Sequence, residues 1–484
     1  MIMKKYRQLA VLSLLLLITA PGCSDFGNIN INPNNPSAPS TAGLLTGALR
    51  NVGIINAQVG PGGANIVPAM YVQQFGDVIY IEDSKYKTIN FNYNGWYAGP
   101  LINLQHIIEL NTDEKTRVNA STFGSNANQI AIARILKAYF FQWITDRWGD
   151  IPYSEALKGD ADFTPAFDKQ ETIYTDLFKE WKEAGAQFDE GKAFQGDILL
   201  NGSSAKWKKF ANSLRLIAAL RLSKVKPDLG KKEFQAALDD GVISSSADNI
   251  QYKFLAESTN ENPIYTNYVV SNRKDYALSD VFINYLKKVS DPRLPYLAAK
   301  NISGEYVGVP YAVGGAKAQD LSLIGSVLSQ QNSAVNIITY SQVLFAQAEA
   351  AALGWTNGNT KALYESAVEA SLQQWMGNSY TEGALKSYLA QPDVAYTANT
   401  AIERISTQRW IALFFQGTEA WSEWRRTGFP VLKPAATTLN GGTEIPRRLA
   451  YPVTENNINH DNYQAVLSSQ GKDDHYTRVW WDKP

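Results

Sequence analysis

The chain has 484 residues, 45% hydrophobic and 19% charged, which supplies ample apolar material for a packed core and excludes wholesale disorder. Its 45 basic and 46 acidic residues give a formal net charge of −1, with no long Lys/Arg run, so neither composition nor patterning favours a nucleic-acid partner. One cysteine excludes an intrachain disulfide framework and a multi-cysteine zinc site, and three histidines leave little for a His-rich metal centre, whereas aromatics reach 12% with 25 Tyr and 12 Trp.

Residues 1–23 read MIMKKYRQLAVLSLLLLITAPGC. Lys4, Lys5 and Arg7 precede an apolar run from Leu9 to Ala20, about a dozen residues where roughly 20 are needed to cross a bilayer. This predicts an export signal over 1–22. Cys23, the sole cysteine, follows Gly22, with Ala20 three positions before it. The arrangement resembles a bacterial lipobox, and acylation at Cys23 would hold the protein to a membrane through several chains. Residues 23–40, rich in Asn, Pro and Ser, read as a tether. Residues 41–484 read as a single domain in which no segment reaches transmembrane length without charges.

Helical periodicity then recurs along the chain. Ile132, Ile135, Leu136, Tyr139, Phe140 and Trp143 mark one buried helix face, as do Ile173, Leu177, Phe178, Trp181 and Ala184. Trp207, Phe210, Leu214, Ile217, Ala218 and Val225 mark another, with Ser203 or Ser204 as N-cap. The alanine-rich ITYSQVLFAQAEAAALGW, the break GWTNGNT and KALYESAVEASLQQW predict a helical hairpin. Ile402 to Trp424 reads as one long helix, deeply buried around Trp410 to Phe415. Between these lie long loops at 58–96, 241–277, 301–335 and 427–484, dense in Gly, Asn, Tyr and Pro and of a length that usually serves function. No strand–helix alternation points to a large sheet, and no crisp internal period proves a repeat.

Four stretches carry a resemblance. NININPNNPS follows the cysteine, and FFQWITDRWGDIPYSEAL closes an aromatic helix with Gly149, Asp150, Ile151, Pro152 and Tyr153. WKKFANSLRLIAALRLSKV leads on to ENPIYTNY and DPRLPYLAA, and ERISTQRWIALFFQGTEAWSEWRRTGFPVL continues through IPRRLAYPVTENNINHDNYQAV. In this order, over essentially the whole mature chain, they resemble the SusD/RagB family of surface nutrient-binding lipoproteins, in its SusD-like branch. The resemblance implies a mainly α fold: a right-handed superhelix of tetratricopeptide-like helix pairs with a loop-rich second region packed on it. It also implies a place on the outer face of the outer membrane, a SusC-like TonB-dependent transporter as partner, and capture of oligosaccharides or, in some branches, peptides.

The residues agree by a separate route. Sugar rings stack their C–H faces on Trp and Tyr, while their hydroxyls need Asn, Asp and Arg, so a site of this kind sets a few polar groups among aromatic walls. Helical aromatics belong to the core, which leaves loop residues as ligand-binding candidates: Tyr80, Tyr86, Tyr93 and Trp96 in one loop, Tyr265, Tyr268, Arg273 and Tyr276 in a second, Tyr306 and Tyr311 in a third. Trp96 could equally begin the next helix, whose Leu101, Leu104, Ile107 and Ile108 face inward. Asp150 reads as a turn or capping residue, and Glu419, Glu423, Arg425 and Arg426 as charged pairs at a helix end.

Enzyme readings are weaker. Ser203 with Lys206, Ser258 with Asn260, and Arg426 with Gly428 mimic a penicillin-binding-type serine hydrolase, but the last lies at a helix end where a strand is required. GPGG at 60–63 lacks the Lys-Ser/Thr of a phosphate loop and reads as a turn. A membrane-anchored α-helical glycoside hydrolase is the alternative function, since it needs only two carboxylates, yet no pair stands out among 46 acids. No catalytic residue, cofactor or metal ligand is expected.

Overall fold

The computed structural model describes residues 39–59 and 64–484, so the export signal, Cys23, nearly all of the tether and the turn at 60–63 lie outside the described residues. Thr41–Pro484 pack as one unit built mainly of helices. The longer ones are α1 (Thr41–Ala57), α2 (Ile102–Thr112), α3 (Asn126–Trp148), α4 (Gln170–Gln187), α5 (Ser204–Arg221), α6 (Pro227–Asp239), α7 (Tyr340–Ala352), α8 (Thr360–Met376), α9 (Ala401–Ala412), α10 (Gly417–Thr427) and α11 (His460–Gln470). From α1 to α6 each packs on its successor, and α7 to α10 continue in the same manner, with α7 also against α5. This successive pairing of helices is tetratricopeptide-like architecture.

Local signals set the helix starts. The Ser125 side chain accepts from the Asn128 N–H at the head of α3, Ser203 from Lys206 at α5, Thr339 from Gln342 at α7 and Asn359 from Ala362 at α8. Each satisfies a backbone donor that the first helical turn leaves open. Ser203, the serine of the hydrolase-like motif, is thereby a cap, and α5 ends at Arg221, four residues short of Val225. α3 is buried on nearly all sides rather than along one face, because α2 and α4 flank it.

The predicted helix from 402 to 424 is in fact two. α9 ends at Ala412, Phe415 turns left-handed at φ 63°, and α10 starts at Gly417. Asn65 stabilises the break: its amide donates to the Phe415 carbonyl at 3.0 Å, and its Oδ1 accepts from the Gly417 N–H at 2.7 Å. Any Cβ on Gly417 would sit 2.1 Å from the Asn65 carbonyl oxygen. The apolar run that promised continuous helix reflects burial, and a residue 350 positions away decides where the helix ends.

Among the described residues the strands form three two-stranded antiparallel sheets. They are β1 (Phe75–Asp77) with β5 (Tyr276–Leu278), β2 (Ile151–Pro152) with β3 (Phe167–Asp168), and β4 (Ile250–Tyr252) with β6 (Val335–Ile338). The supposed loops therefore hold structure: β1 and a short helix at Ile66–Tyr71 in the first, β4 and β5 in the second, Val453–Ile458 and α11 in the last. The main apolar core runs through α1 to α6, with Trp148, Trp181, Trp207 and Trp421 fully buried, and a second core fills the α7–α8 hairpin around Phe345, Tyr364 and Val368.

Candidate functional site

Two loops that are distant in sequence meet because β1 pairs with β5, with Asp77 opposite Tyr276. The segments leaving these strands, residues 77–92 and 263–276, enclose a cavity of about 770 Å³. Tyr80, 61% exposed, and the buried Tyr276 contribute rings to its wall. Arg273 joins them from a turn that is left-handed at both Asn272 and Lys274, and its guanidinium carbon lies 5.9 Å from the centre of the Tyr80 ring. Its Nε donates to Asp275 at 2.8 Å, and the Asn267 amide donates to the same carboxylate oxygen at 2.9 Å. Arg273 is thus held in place at its own base while its far end stays exposed.

Carboxylates complete the wall. Asp77 is 97% buried (3% exposed), and its Oδ2 accepts from both the Ser84 N–H and the Ser84 hydroxyl at 2.8 Å. Burial, reinforced by Asp83 and Glu82 and opposed by the Ser84 bonds, pushes the Asp77 carboxyl up to about 7. Burial and the neighbouring Glu82 raise Asp83 as well. Glu82 reaches Lys87 at 3.6 Å, an exposed pair of little energetic weight. Burial followed by the charges of Asp83, Asp77 and Asp275 raises the Tyr276 hydroxyl, which keeps that ring neutral at physiological pH.

The other aromatic candidates lie elsewhere. Tyr86 and Tyr93, each 1% exposed, belong to the core: Tyr86 packs edge-on to Tyr71 and accepts from the Ala435 N–H, and Tyr93 packs on Trp148 and Tyr97. Neither lines the Tyr80–Tyr276 cavity, a correction that follows from burial hidden behind a loop-like sequence. Tyr268 is also buried, and its hydroxyl donates to the Tyr276 carbonyl at 2.7 Å, supporting the cavity wall from behind. Half-buried Trp96 sits at a helix start with its ring 5.2 Å from that of Trp143. Tyr311 donates to the Met70 carbonyl, Tyr306 lies under Lys300, and Tyr265 is half-buried in the short helix Pro263–Tyr265 beside the cavity. Of the ten candidates, Tyr80, Arg273 and Tyr276 line one cavity. Aromatic content does not reveal the acids Asp77, Glu82, Asp83 and Asp275; for the first three the sequence signal is the clustering of GD and ED in an otherwise Asn- and Tyr-rich loop.

A second, more apolar cavity of about 490 Å³ lies between Tyr93, Tyr97, Pro152, Leu157, Phe163 and Ile458. Among the described residues no group of three or more His, Cys, Asp or Glu is placed to hold a metal ion.

Comparison with known proteins fixes the relationship. A family profile described as "Starch-binding associating with outer membrane", SusD-like, matches residues 33–452. The chain belongs to the SusD-like family. The structure is similar to that of a "chitin-binding protein" at TM-score 0.80 and 30% identity, covering 92% of this chain and all of that one. It is also similar to a chitin-binding SusD homologue from Flavobacterium johnsoniae (TM-score 0.74, 26% identity, 91% and 98% covered) and to a SusD homologue from Bacteroides fragilis (0.76, 27%, 92% and 100%). No curated protein sequence matches it.

Within this SusD-like fold, the Gly149–Tyr153 stretch and the charged end of α10 serve as scaffolding. In Gly149–Tyr153, Asp150 Oδ1 accepts from the Gln170 N–H at the head of α4, and its own N–H donates to Gln470 Oε1 at 2.6 Å. A Cβ on Gly149, where φ is 87°, would overlap that Gln470 side chain. The motif therefore ties together the end of α3, the start of α4 and α11. In α10, Glu423 pairs with Arg221, Arg409 and Arg426, while Glu349 of α7 pairs with Arg409 at 2.8 Å and with Arg426 at 2.5 Å. Burial alone would raise the Glu423 carboxyl, but Arg426, Arg409 and Arg221 pull it well below the usual carboxylate range.

Proposed function

We propose that this chain is a surface lipoprotein that captures oligosaccharides in the Tyr80–Arg273–Tyr276 cavity and delivers them to a SusC-like TonB-dependent transporter of the outer membrane. The observation that carries the reading is the cavity itself, which joins aromatic surface, a guanidinium and amide and carboxylate groups at a volume fit for several sugar residues. The family description and the two chitin-binding relatives support carbohydrate as the ligand, with peptides the other class implied by the sequence resemblance. Attachment is through acylation at Cys23, a reading supported by the lipobox-like arrangement around that sole cysteine.

Titration with starch and chitin oligosaccharides tests the binding reading, and absence of saturable binding to any glycan would sink it. Cys23→Ser is expected to shift the protein from membranes to soluble or unprocessed forms; palmitate labelling that survives the substitution would refute lipid attachment there. Co-purification of a TonB-dependent barrel tests delivery. One observation favours the glycosidase alternative: Asp77, raised to about 7 beside Asp83, has the protonation a general acid needs. The binding reading expects bound oligosaccharide to be recovered intact, whereas turnover lost in Asp77→Asn would establish the enzyme.

A further inference from the structure

The cavity presents four carboxylates, Asp77, Glu82, Asp83 and Asp275, against the single guanidinium of Arg273. Two of the acids already have cations, Asp275 holding Arg273 and Glu82 meeting Lys87. The other two have none. The Asp83 carboxylate makes no ion pair or hydrogen bond to any described residue, and Asp77, 97% buried, uses only Oδ2, leaving Oδ1 without a hydrogen-bond partner on the cavity wall. In the α10 network, by contrast, the buried carboxylates of Glu349 and Glu423 are matched by arginines. Burying Asp77, and half-burying Asp83 beside it, with no cation is costly, and a ligand that brings the missing positive charge recovers part of that cost on binding.

Resting on the carbohydrate reading above, we infer that the cavity selects glycans carrying free amino groups, with the ligand ammonium placed between Asp77 and Asp83, and that it disfavours uronate, sulfated or otherwise anionic sugars. The raised carboxyls of Asp77 and Asp83 fit this arrangement, since each lacks the cation that would lower it. The exposed ring of Tyr80 supplies the stacking surface that a sugar needs and a bare ammonium does not. Arg273, already paired with Asp275, is left to bond sugar hydroxyls.

The experiment is calorimetric titration of the full mature chain at a pH slightly below neutral with a glucosamine hexamer, its fully N-acetylated counterpart, a galacturonate oligomer and oligolysine. The free-amine hexamer is expected to bind at least tenfold more tightly than the N-acetylated one, with the ratio shrinking as salt is raised, and the galacturonate oligomer most weakly. Asp83→Asn, which removes a charge but no structural hydrogen bond, is expected to reduce the amine preference about tenfold. If the N-acetylated hexamer binds as well as the free amine, or the preference survives both Asp83→Asn and Asp77→Asn, the inference is overturned while the carbohydrate reading stands. If no oligosaccharide binds, that reading itself fails. Oligolysine binding as tightly as the amino-sugar hexamer would overturn the glycan assignment in favour of basic peptide.

Discussion

The helical region and the loop cavity both bury acidic side chains, and they treat them in opposite ways. Around α10, Glu423 and Glu349 are enclosed by Arg221, Arg409 and Arg426, so that each carboxylate is ionised and paired. Beneath Tyr80 and Tyr276, Asp77 and Asp83 are brought together with no cation to meet them. The first arrangement locks four helices, α5, α7, α9 and α10, in one geometry. The second holds back interaction energy that the folded chain does not use. The Gly149–Tyr153 and α10 motifs fell in the first region, whereas the cavity draws on loop residues that include Pro263, Thr266 and Asn267 of ENPIYTNY.

The largest effect expected is on the paired side. Glu423→Gln leaves three guanidiniums short of a buried partner and should cost about 3–5 kcal/mol in chemical denaturation, with glycan affinity retained in whatever fraction folds. A loss below about 1 kcal/mol would show that the network is dispensable.

The cavity side has the opposite sign. With its folded value near 7 and an ordinary value of 3.8, Asp77 binds more protons folded than unfolded between those two pH values. Its contribution to stability is therefore greatest below about pH 4 and is lost as the pH rises through 7. Asp77→Asn, which preserves an acceptor for Ser84, should accordingly stabilise the protein by about 3–4 kcal/mol at pH 8 and hardly at all at pH 4, while weakening capture of amine-bearing ligands. The measurement is the difference between variant and parent melts across pH. Burial pulls the imidazole of His475 down to about 4, tilting the parent curve the other way below pH 6.5, and the subtraction removes that contribution. A destabilised Asp77→Asn at pH 8 would mean that Asp77 has a cationic partner in the folded state besides its bonds from Ser84.

Smaller effects separate binding from packing. Tyr80→Ala should weaken oligosaccharide binding by about 1–3 kcal/mol without moving the melting temperature, since the exposed ring holds nothing else in place. Trp96→Ala should do the reverse, costing about 1–2 kcal/mol of stability through lost contact with Trp143 while affinity stays the same. Equal behaviour of the two variants in both assays would erase the distinction between the regions.

Much of the scaffold was legible in the sequence. The periodicity at 132–143, 173–184 and 207–218, the cap at Ser203 and the break at GWTNGNT each depend on interactions within a few residues, and α3, α4, α5, α7 and α8 lie where those signals put them. Helical character over 402–424 was legible too, but its interruption was not, because Asn65 supplies the hydrogen bonds that make the break at Phe415 favourable. The ligand-binding candidates show the same limit. Tyr86 and Tyr93 look like Tyr80 in a Gly- and Asn-rich stretch, and only the packing of Tyr71 and Trp148 against them separates core from cavity wall.

Sequence by itself determined the class of helix-paired scaffold and the family to which it belongs, since these are encoded in short-range periodicity and in motifs that hold the helices together. Tertiary structure alone decided which loop residues share a cavity. The pairing of β1 with β5 brings residue 77 opposite residue 276, nearly two hundred positions apart, and sets Tyr80, Arg273, Asp77 and Asp83 around one cavity. Burial then gives identical residue types different chemistry: an aspartate left without a cation becomes proton-binding near neutrality, and a glutamate among arginines stays ionised far below it.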